Sequence, residues 1–364
     1  MSKKRRPTQA DIAEASGVSP AVVSLVINGR TNGKIRISEV TQKRVLAAIS
    51  EFGYTPNLAA RQLAGGRSGL LGVFTYEPVF PVHENNFYYP FLVGIEEQAE
   101  NLGFNLLLFT GSRNGTGQRR IIRDGINLLQ TADGAILLGG NEDREELAHL
   151  VSDQFPFVFV GRREINGQPL AYVAADYTRA AIAMVEHMAW HGHTRIMYIR
   201  GPLENESAAD RELGYREGCR ISGLPDSAER ITCLTDNGPT GEDIQHWIRA
   251  GVTAFIAENM PIANALLEQA DSIPLLAPEH FSIGALGNTG DPGEAFRGVM
   301  TLDIPRREMG ARAVDLLTAI LYAPHSIECS QVTLPCPLVP GTTVGDAPLH
   351  QFAGSLPETL ANKR

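Results

Sequence analysis

His187, His191 and His193 crowd around Trp190, and residues of this type at this spacing can hold a metal ion. No acidic or cysteine partner follows them, and histidines at the end of a helix also complement the negative end of its dipole. Cys219, Cys233, Cys329 and Cys336 lie far apart without a CxxC pair, and are read as reduced, mostly buried thiols. Gly115-Thr116-Gly117 is glycine-rich but lacks the rest of a phosphate fingerprint, so it reads as a loop. The chain has no GxGxxG after a first strand, no Walker-type loop, no GxSxG and no HExxH. No catalytic residues, no cofactor and no metal are therefore expected.

The chemistry that the sequence does offer is phosphate attraction. Over the 364 residues the formal charge is −9, yet residues 1–67 hold 11 lysines and arginines against the 4 acids Asp11, Glu14, Glu39 and Glu51. That basic head contrasts with an acidic remainder, an asymmetry suited to nucleic acid at one end of the molecule. A tail kept basic for solubility accounts for Lys3, Lys4, Arg5 and Arg6 but not for the other seven. Those four residues are followed by a polar stretch rather than an apolar one, and no apolar run reaches membrane-spanning length. The expectation is a cytoplasmic protein with no membrane partner.

The elements that must position such a head are readable locally. Thr8-Gln9-Ala10-Asp11 is a capping box, and Gly17 supplies the left-handed residue that stops the helix it opens. Ser19-Pro20 opens a second helix with an N-cap and a proline at the first helical position. Ile12, Ala13, Val18, Val23 and Ile27 fall where two short, steeply crossing helices bury them. Ser38 caps a third helix, with Val40, Val45, Ile49 and Phe52 at helical spacing and Gly53 ending it. A tight helix-turn-helix followed by a third helix is a DNA-binding pattern, and an ordinary helical hairpin is its bland rival.

PTQADIAEASGVSPAVVSLVING and RVLAAISEFGYTPNLAARQLAGGRSGLLGVF resemble the lactose-repressor (LacI/GalR) family of bacterial regulators, and the resemblance runs from about Thr8 to Val344. It implies a DNA-binding set of Thr8, Ser19, Pro20, Ala21, Ser24, Leu25 and Asn28, with Thr8, Ser24 and Asn28 near phosphates. Ala21 cannot hydrogen-bond a base edge, and Leu25 stands where the family usually has a polar or basic reader. Both can touch a thymine methyl, but neither can read guanine as arginine does. Asn28 to Ile37 is longer than the family's turn and carries Arg30, Lys34 and Arg36, which suit either backbone contacts or a solvated loop. TPNLAARQLAGG is too short to be a stable helix alone in water. It resembles the family's hinge helix, with Leu63 as a minor-groove wedge and Asn57 and Arg61 flanking it. A plain linker is the alternative.

From Gly69 the apolar runs GLLGVFT, FNLLLFT, GAILLG and FVFVG alternate with helical stretches near 91–102, 118–131 and 143–152. RIMYIR, TAFIA and FSIGAL do the same with helices near 178–191, 209–222, 241–250 and 261–270. Continuous apolar strands between helices mean parallel sheets covered on both faces. The expected fold is an all-α helix-turn-helix head plus an α/β, periplasmic-binding-protein-like sensor body of two doubly wound parallel-sheet lobes. Its parts are a DNA-binding domain over 1–55, a hinge helix and linker over 56–68, a two-lobed body over 69–345 and a tail over 346–364.

A ligand is expected in the cleft at the carboxyl ends of the strands. The resemblance implies Phe87 and Tyr88 as its aromatic wall, Asp176 in VAADY after the central strand, and Ser207 and Arg211 from the second lobe. It also implies Asn259, where an aspartate is more usual. Leu286 stands near another usual aspartate; either Asn288 or Asp291 substitutes for it, or the contact is missing. Arg162, in Arg162-Arg163, either meets an anionic group on the effector or serves the surface. Aromatic faces with polar groups suit a sugar, a sugar acid or a sugar phosphate. The resulting function is a homodimeric, sequence-specific transcriptional regulator, a repressor, binding a pseudo-palindromic operator under control of a sugar-like effector. A solute-binding receptor without a DNA role and a sugar-processing enzyme are the alternatives.

Overall fold

The computed structural model describes residues 7–27, 36–55, 67–77, 87–110, 119–140, 142–165, 168–202, 204–225, 231–233, 238–287, 298–323 and 331–348. The chain divides into two compact units, Met1–Ser68 and Gly69–Arg364.

In the first unit, helices Gln9–Ser16 and Pro20–Ile27 meet at 104° around Gly17, whose φ of +61° only glycine adopts cheaply. The Thr8 capping box forms as the sequence dictates: its amide and hydroxyl both donate to Asp11 Oδ2, at 2.7 and 2.8 Å. Ser38 caps helix Glu39–Phe52, and Gly53 ends it at φ +58°. Ile12, Ala13, Val23, Val26, Val45 and Ala48 form the core. Val26 takes the buried place expected of Ile27, which with Val18 is only half buried. Val40 and Phe52 keep helical spacing but stay exposed.

In the second unit, six strands form one parallel sheet in the order Gln331–Leu334, Tyr172–Ala175, Phe157–Val160, Gly134–Leu138, Leu70–Thr75 and Asn105–Phe109. Four more form a second parallel sheet, Ile231–Cys233, Ile196–Arg200, Ala254–Ala257 and Ser282–Ala285. Strands Gly134–Leu138 and Phe157–Val160 at the centre of the first sheet, and Ala254–Ala257 and Ser282–Ala285 of the second, are buried along their whole length, as sheets covered on both faces require. The chain leaves the first lobe after Ala175 and returns through helix Arg306–Tyr322 to add Gln331–Leu334 beside Tyr172–Ala175. It then passes back, where the Ile283 amide donates to the Thr343 carbonyl at 3.0 Å.

The helix expected over 118–131 does not form. Ile122–Arg123 and Ile126–Asn127 pair as an antiparallel hairpin, followed by a single 3-10 turn, Leu128–Thr131. The cause is the turn dipeptide Asp124-Gly125, both at positive φ (51° and 75°), which closes a two-residue hairpin whose twist matches its strands. The Asn127 side chain then caps the turn by accepting from the Leu129 amide at 2.9 Å.

Candidate functional site

On the head, Ser19, Pro20 and Ala21 are exposed at the start of the second helix, and Ser24 and Leu25 are half buried. The Ser19 hydroxyl accepts from the Val22 amide at 3.4 Å, a loose N-cap that leaves its face open. Leu25 lays part of its side chain on the head core, so only its remainder faces outward. Thr8 is exposed, but its hydroxyl proton is given to Asp11 within the capping box. Asn28, Asn57, Arg61 and Leu63 lie outside the described residues.

In the body, the expected ligand residues gather at the carboxyl ends of strands. The first to consider is Arg211, one turn into helix Glu206–Ile221. Its Nη1 donates to the Ser207 carbonyl at 3.0 Å and its Nε to the Leu286 carbonyl at 2.8 Å, and its guanidinium lies 3.6 Å over the Tyr177 ring. The two carbonyls and the ring thus fix its direction. Leu286 contributes here through its main chain, its side chain being buried. A Cβ placed on Gly287 would stand 3.8 Å from both Arg211 Nη2 and the Asn259 Cα, so Arg211 and Asn259 share one end of the four-stranded sheet. Asn259 caps helix Met260–Ser272, accepting from the Ile262 amide at 3.1 Å. Asn288 and Asp291 lie outside the described residues.

Asp176 caps helix Tyr177–Trp190, accepting from the Arg179 amide at 3.0 Å, and so stands next to the ring under Arg211. Phe87 packs edge-on against Tyr88, and the Arg306 guanidinium lies 4.5 Å over its face. Arg306 is 5% exposed; burial presses its pKa downward, while Tyr177 and Asp303 work the other way. Because Tyr177 acts electrostatically on Arg306, the stack on Phe87 and the stack on Tyr177 lie near one another. Tyr88 turns to Glu77, donating to Oε2 at 2.9 Å, and Glu77 Oε1 accepts from the Gly140 amide at 2.8 Å. Burial, reinforced by Glu77, holds the Tyr88 phenol protonated.

Arg162 is taken out of this cluster. Its Nε and Nη2 grip Asp210 Oδ2 and Oδ1 at 3.0 and 2.7 Å, and Nη1 reaches Glu164 at 2.5 Å. In this structure it makes an ion pair that reaches the helix bearing Arg211.

Sequence reasoning missed Glu77, Tyr177, Glu258 and Arg306. Each is among the first residues past a strand or opens the helix that follows one, which is the signal that finds them. Glu258, 7% exposed, accepts from the Gly201 amide at 2.7 Å across neighbouring strand ends.

The histidines near Trp190 have other work. His193 is fully buried between Thr253 Oγ1, Ser282 Oγ and the Gly345 carbonyl at 2.9, 2.9 and 3.0 Å, and so ties the end of the body to its second sheet. His191 pairs with Asp346 at 2.9 Å. No cluster of metal-ligating side chains occurs among the described residues, and no single helix among them is long and apolar enough to cross a membrane.

Residues 8–57 match the model of the bacterial regulatory proteins of the lacI family, and residues 185–344 match a periplasmic binding protein-like domain. The chain is 28% identical to catabolite control protein A of Priestia megaterium, over 89% of this chain and 98% of that protein. It is 31% identical to the maltose regulon regulatory protein MalI of Escherichia coli (strain K12), over 66% of this chain and 71% of that protein. Among solved structures, the fold is shared with the transcriptional regulator CelR–cellobiose complex (TM-score 0.62, 24% identity, 93% of this chain and 100% of that one). It is shared also with the lac repressor dimer bound to operator and the anti-inducer ONPF (TM-score 0.66, 23% identity, 94% and 100%).

Proposed function

The chain belongs to the lacI family of bacterial regulatory proteins, and on that premise we propose that it is a sequence-specific transcriptional repressor whose hold on operator DNA is set by a small molecule bound between its lobes. The observation that carries this reading is the head: a capped, glycine-turned helix pair with an exposed face at Ser19, Pro20 and Ala21, in the most basic stretch of the chain. Ser19 to Asn28 serves as the recognition helix, with Thr8, Ser24 and Asn28 toward phosphates. Leu63, flanked by Asn57 and Arg61, is the minor-groove wedge of the 56–68 hinge. The protein acts as a cytoplasmic homodimer on a pseudo-palindromic site, a two-fold arrangement that matches two heads to two half-sites.

Phe87, Tyr88, Asp176, Ser207, Arg211 and Asn259 form the effector pocket, joined by Tyr177 and Arg306. Rings and arginine forks suit a sugar-like ligand, with stacking on its apolar face and donors for its hydroxyls. The cellobiose complex among the structural relatives supports that ligand class. Effector changes the relation between lobes, and so couples the pocket to DNA. A thermal-shift screen of monosaccharides, disaccharides and their acid and phosphate derivatives tests the pocket, since binding to the folded state raises Tm by mass action. Stabilisation by none of them contradicts the sugar assignment.

A further inference from the structure

Charged side chains of the two lobes meet at a junction outside the effector cluster. The first lobe supplies Arg144, at the start of helix Arg144–Ser152, and Arg162 and Arg163, which follow strand Phe157–Val160. The second lobe supplies Glu206 and Asp210, one turn apart on helix Glu206–Ile221. Arg162 holds Asp210 with two prongs at 3.0 and 2.7 Å. Arg144 Nη1 holds Glu206 Oε1 at 2.9 Å, Arg163 Nη1 stands 3.6 Å from Glu206 Oε2, and the Glu164 amide donates to Glu206 Oε1 at 3.1 Å.

Among the described residues, the charged partners of Glu206 and Asp210 all come from the first lobe. Glu206 and Arg163 are both buried, and Arg163 is also fixed on its own lobe by Glu142 at 2.8 Å and by the Gly139 carbonyl. Burial works to raise the Glu206 pKa, but Arg144 and Arg163 outweigh it and hold the carboxylate ionised. Parting the lobes strips buried charges of their partners, which is the costly way to break such a pair.

We propose that Arg144, Arg162 and Arg163 clasp Glu206 and Asp210 as an interlobe latch, through which the protein itself sets the resting relation of its two lobes. Glu206 and Asp210 flank Ser207 and Arg211 in sequence. The latch thus also positions the residues assigned to effector, a corollary that rests on the proposed function.

The test needs neither DNA nor effector, so its failure is distinct from failure of that reading. Spin labels at Asn101→Cys and Gln269→Cys, one on each lobe in a Cys233→Ser, Cys329→Ser background of the full chain, report the interlobe distance. Arg162→Asp and Asp210→Arg should each shift the distance distribution to longer values, and the double reversal should restore it. Asp210→Asn, which keeps shape and removes charge, gives the same direction with less risk to folding. Circular dichroism confirms that each variant is folded. Single reversals and Asp210→Asn that leave the distribution of folded protein unchanged overturn the latch, as does a double reversal that leaves it shifted.

Discussion

The Arg211 guanidinium lies 3.6 Å above the Tyr177 ring while its Nε holds the Leu286 carbonyl, so one arginine spans two helices and a strand end of the second lobe. A residue held so firmly presents its remaining edge in a fixed direction, as a binding group must. Arg211→Ala should abolish the thermal shift given by whichever sugar stabilises the native chain, while operator binding survives. Its own stability cost should be about 1–3 kcal/mol, for two hydrogen bonds and a cation–π contact. Arg211→Lys should rescue only part of the response, because a point charge lacks the fork. An unchanged dissociation constant in titration calorimetry removes Arg211 from the pocket.

Leu63→Ala tests the hinge. A wedge at Leu63, as proposed, acts only on bound DNA, so operator affinity and bending should both fall while the sugar-induced thermal shift stays the same. Gel phasing measures the bend, and a normal bend from this variant rules the wedge out.

The first lobe depends on a close helix crossing. A Cβ on Gly94 falls within bonding range of the Arg307 carbonyl, and one on Gly310 meets the Phe91 carbonyl. Helices Tyr89–Asn101 and Arg306–Tyr322 must separate to accept either. Gly94→Ala and Gly310→Ala should each cost roughly 1–3 kcal/mol, read as a lower denaturation midpoint. Both glycines are helical at ordinary φ, where alanine by itself would stabilise. An unchanged midpoint therefore contradicts the crossing.

The head was legible because its signals are local. Thr8 with Asp11, Gly17, Ser38 and Gly53 each act within one turn of the chain, and each performs the role its type dictates. The parallel strands were legible because both faces are covered, which leaves unbroken apolar runs. The hairpin at Asp124-Gly125 was misread as helix, although the dipeptide is a strong turn signal, because the flanking strands are only two residues long. The proposed pocket was readable in the sequence only one position at a time. Arg162 shows why: its partner Asp210 lies 48 residues away, and nothing local to either announces the pair. Glu77 and Arg306 were missed for the same reason, their partners being set by topology and not by spacing.

His193 makes stability depend on pH. Burial lowers its folded-state pKa below the ordinary histidine value, and His191 adds to this, while the Gly345 carbonyl works the other way. The unfolded chain therefore takes the proton first. Its contribution is fully present above the unfolded pKa, near 6.5, and is lost as pH falls from there through the lower folded value. Melting temperature should drop from pH 7.5 to pH 5.5, and His193→Gln, though less stable throughout, should show a shallower drop. An equal slope in the two proteins excludes His193 as the source.

If the basic head reads DNA, its removal must abolish binding. Full-length protein should be equilibrated with a random duplex pool, the bound fraction sequenced, and affinity for the enriched site measured across a salt series beside a chain lacking residues 1–67. Enrichment of a two-fold-symmetric sequence, steep loss of affinity with salt as lysine and arginine release counterions, and no affinity in the truncated chain are the expected results. No enriched sequence, or a truncated chain that binds the site as well as the whole, contradicts a DNA-reading head.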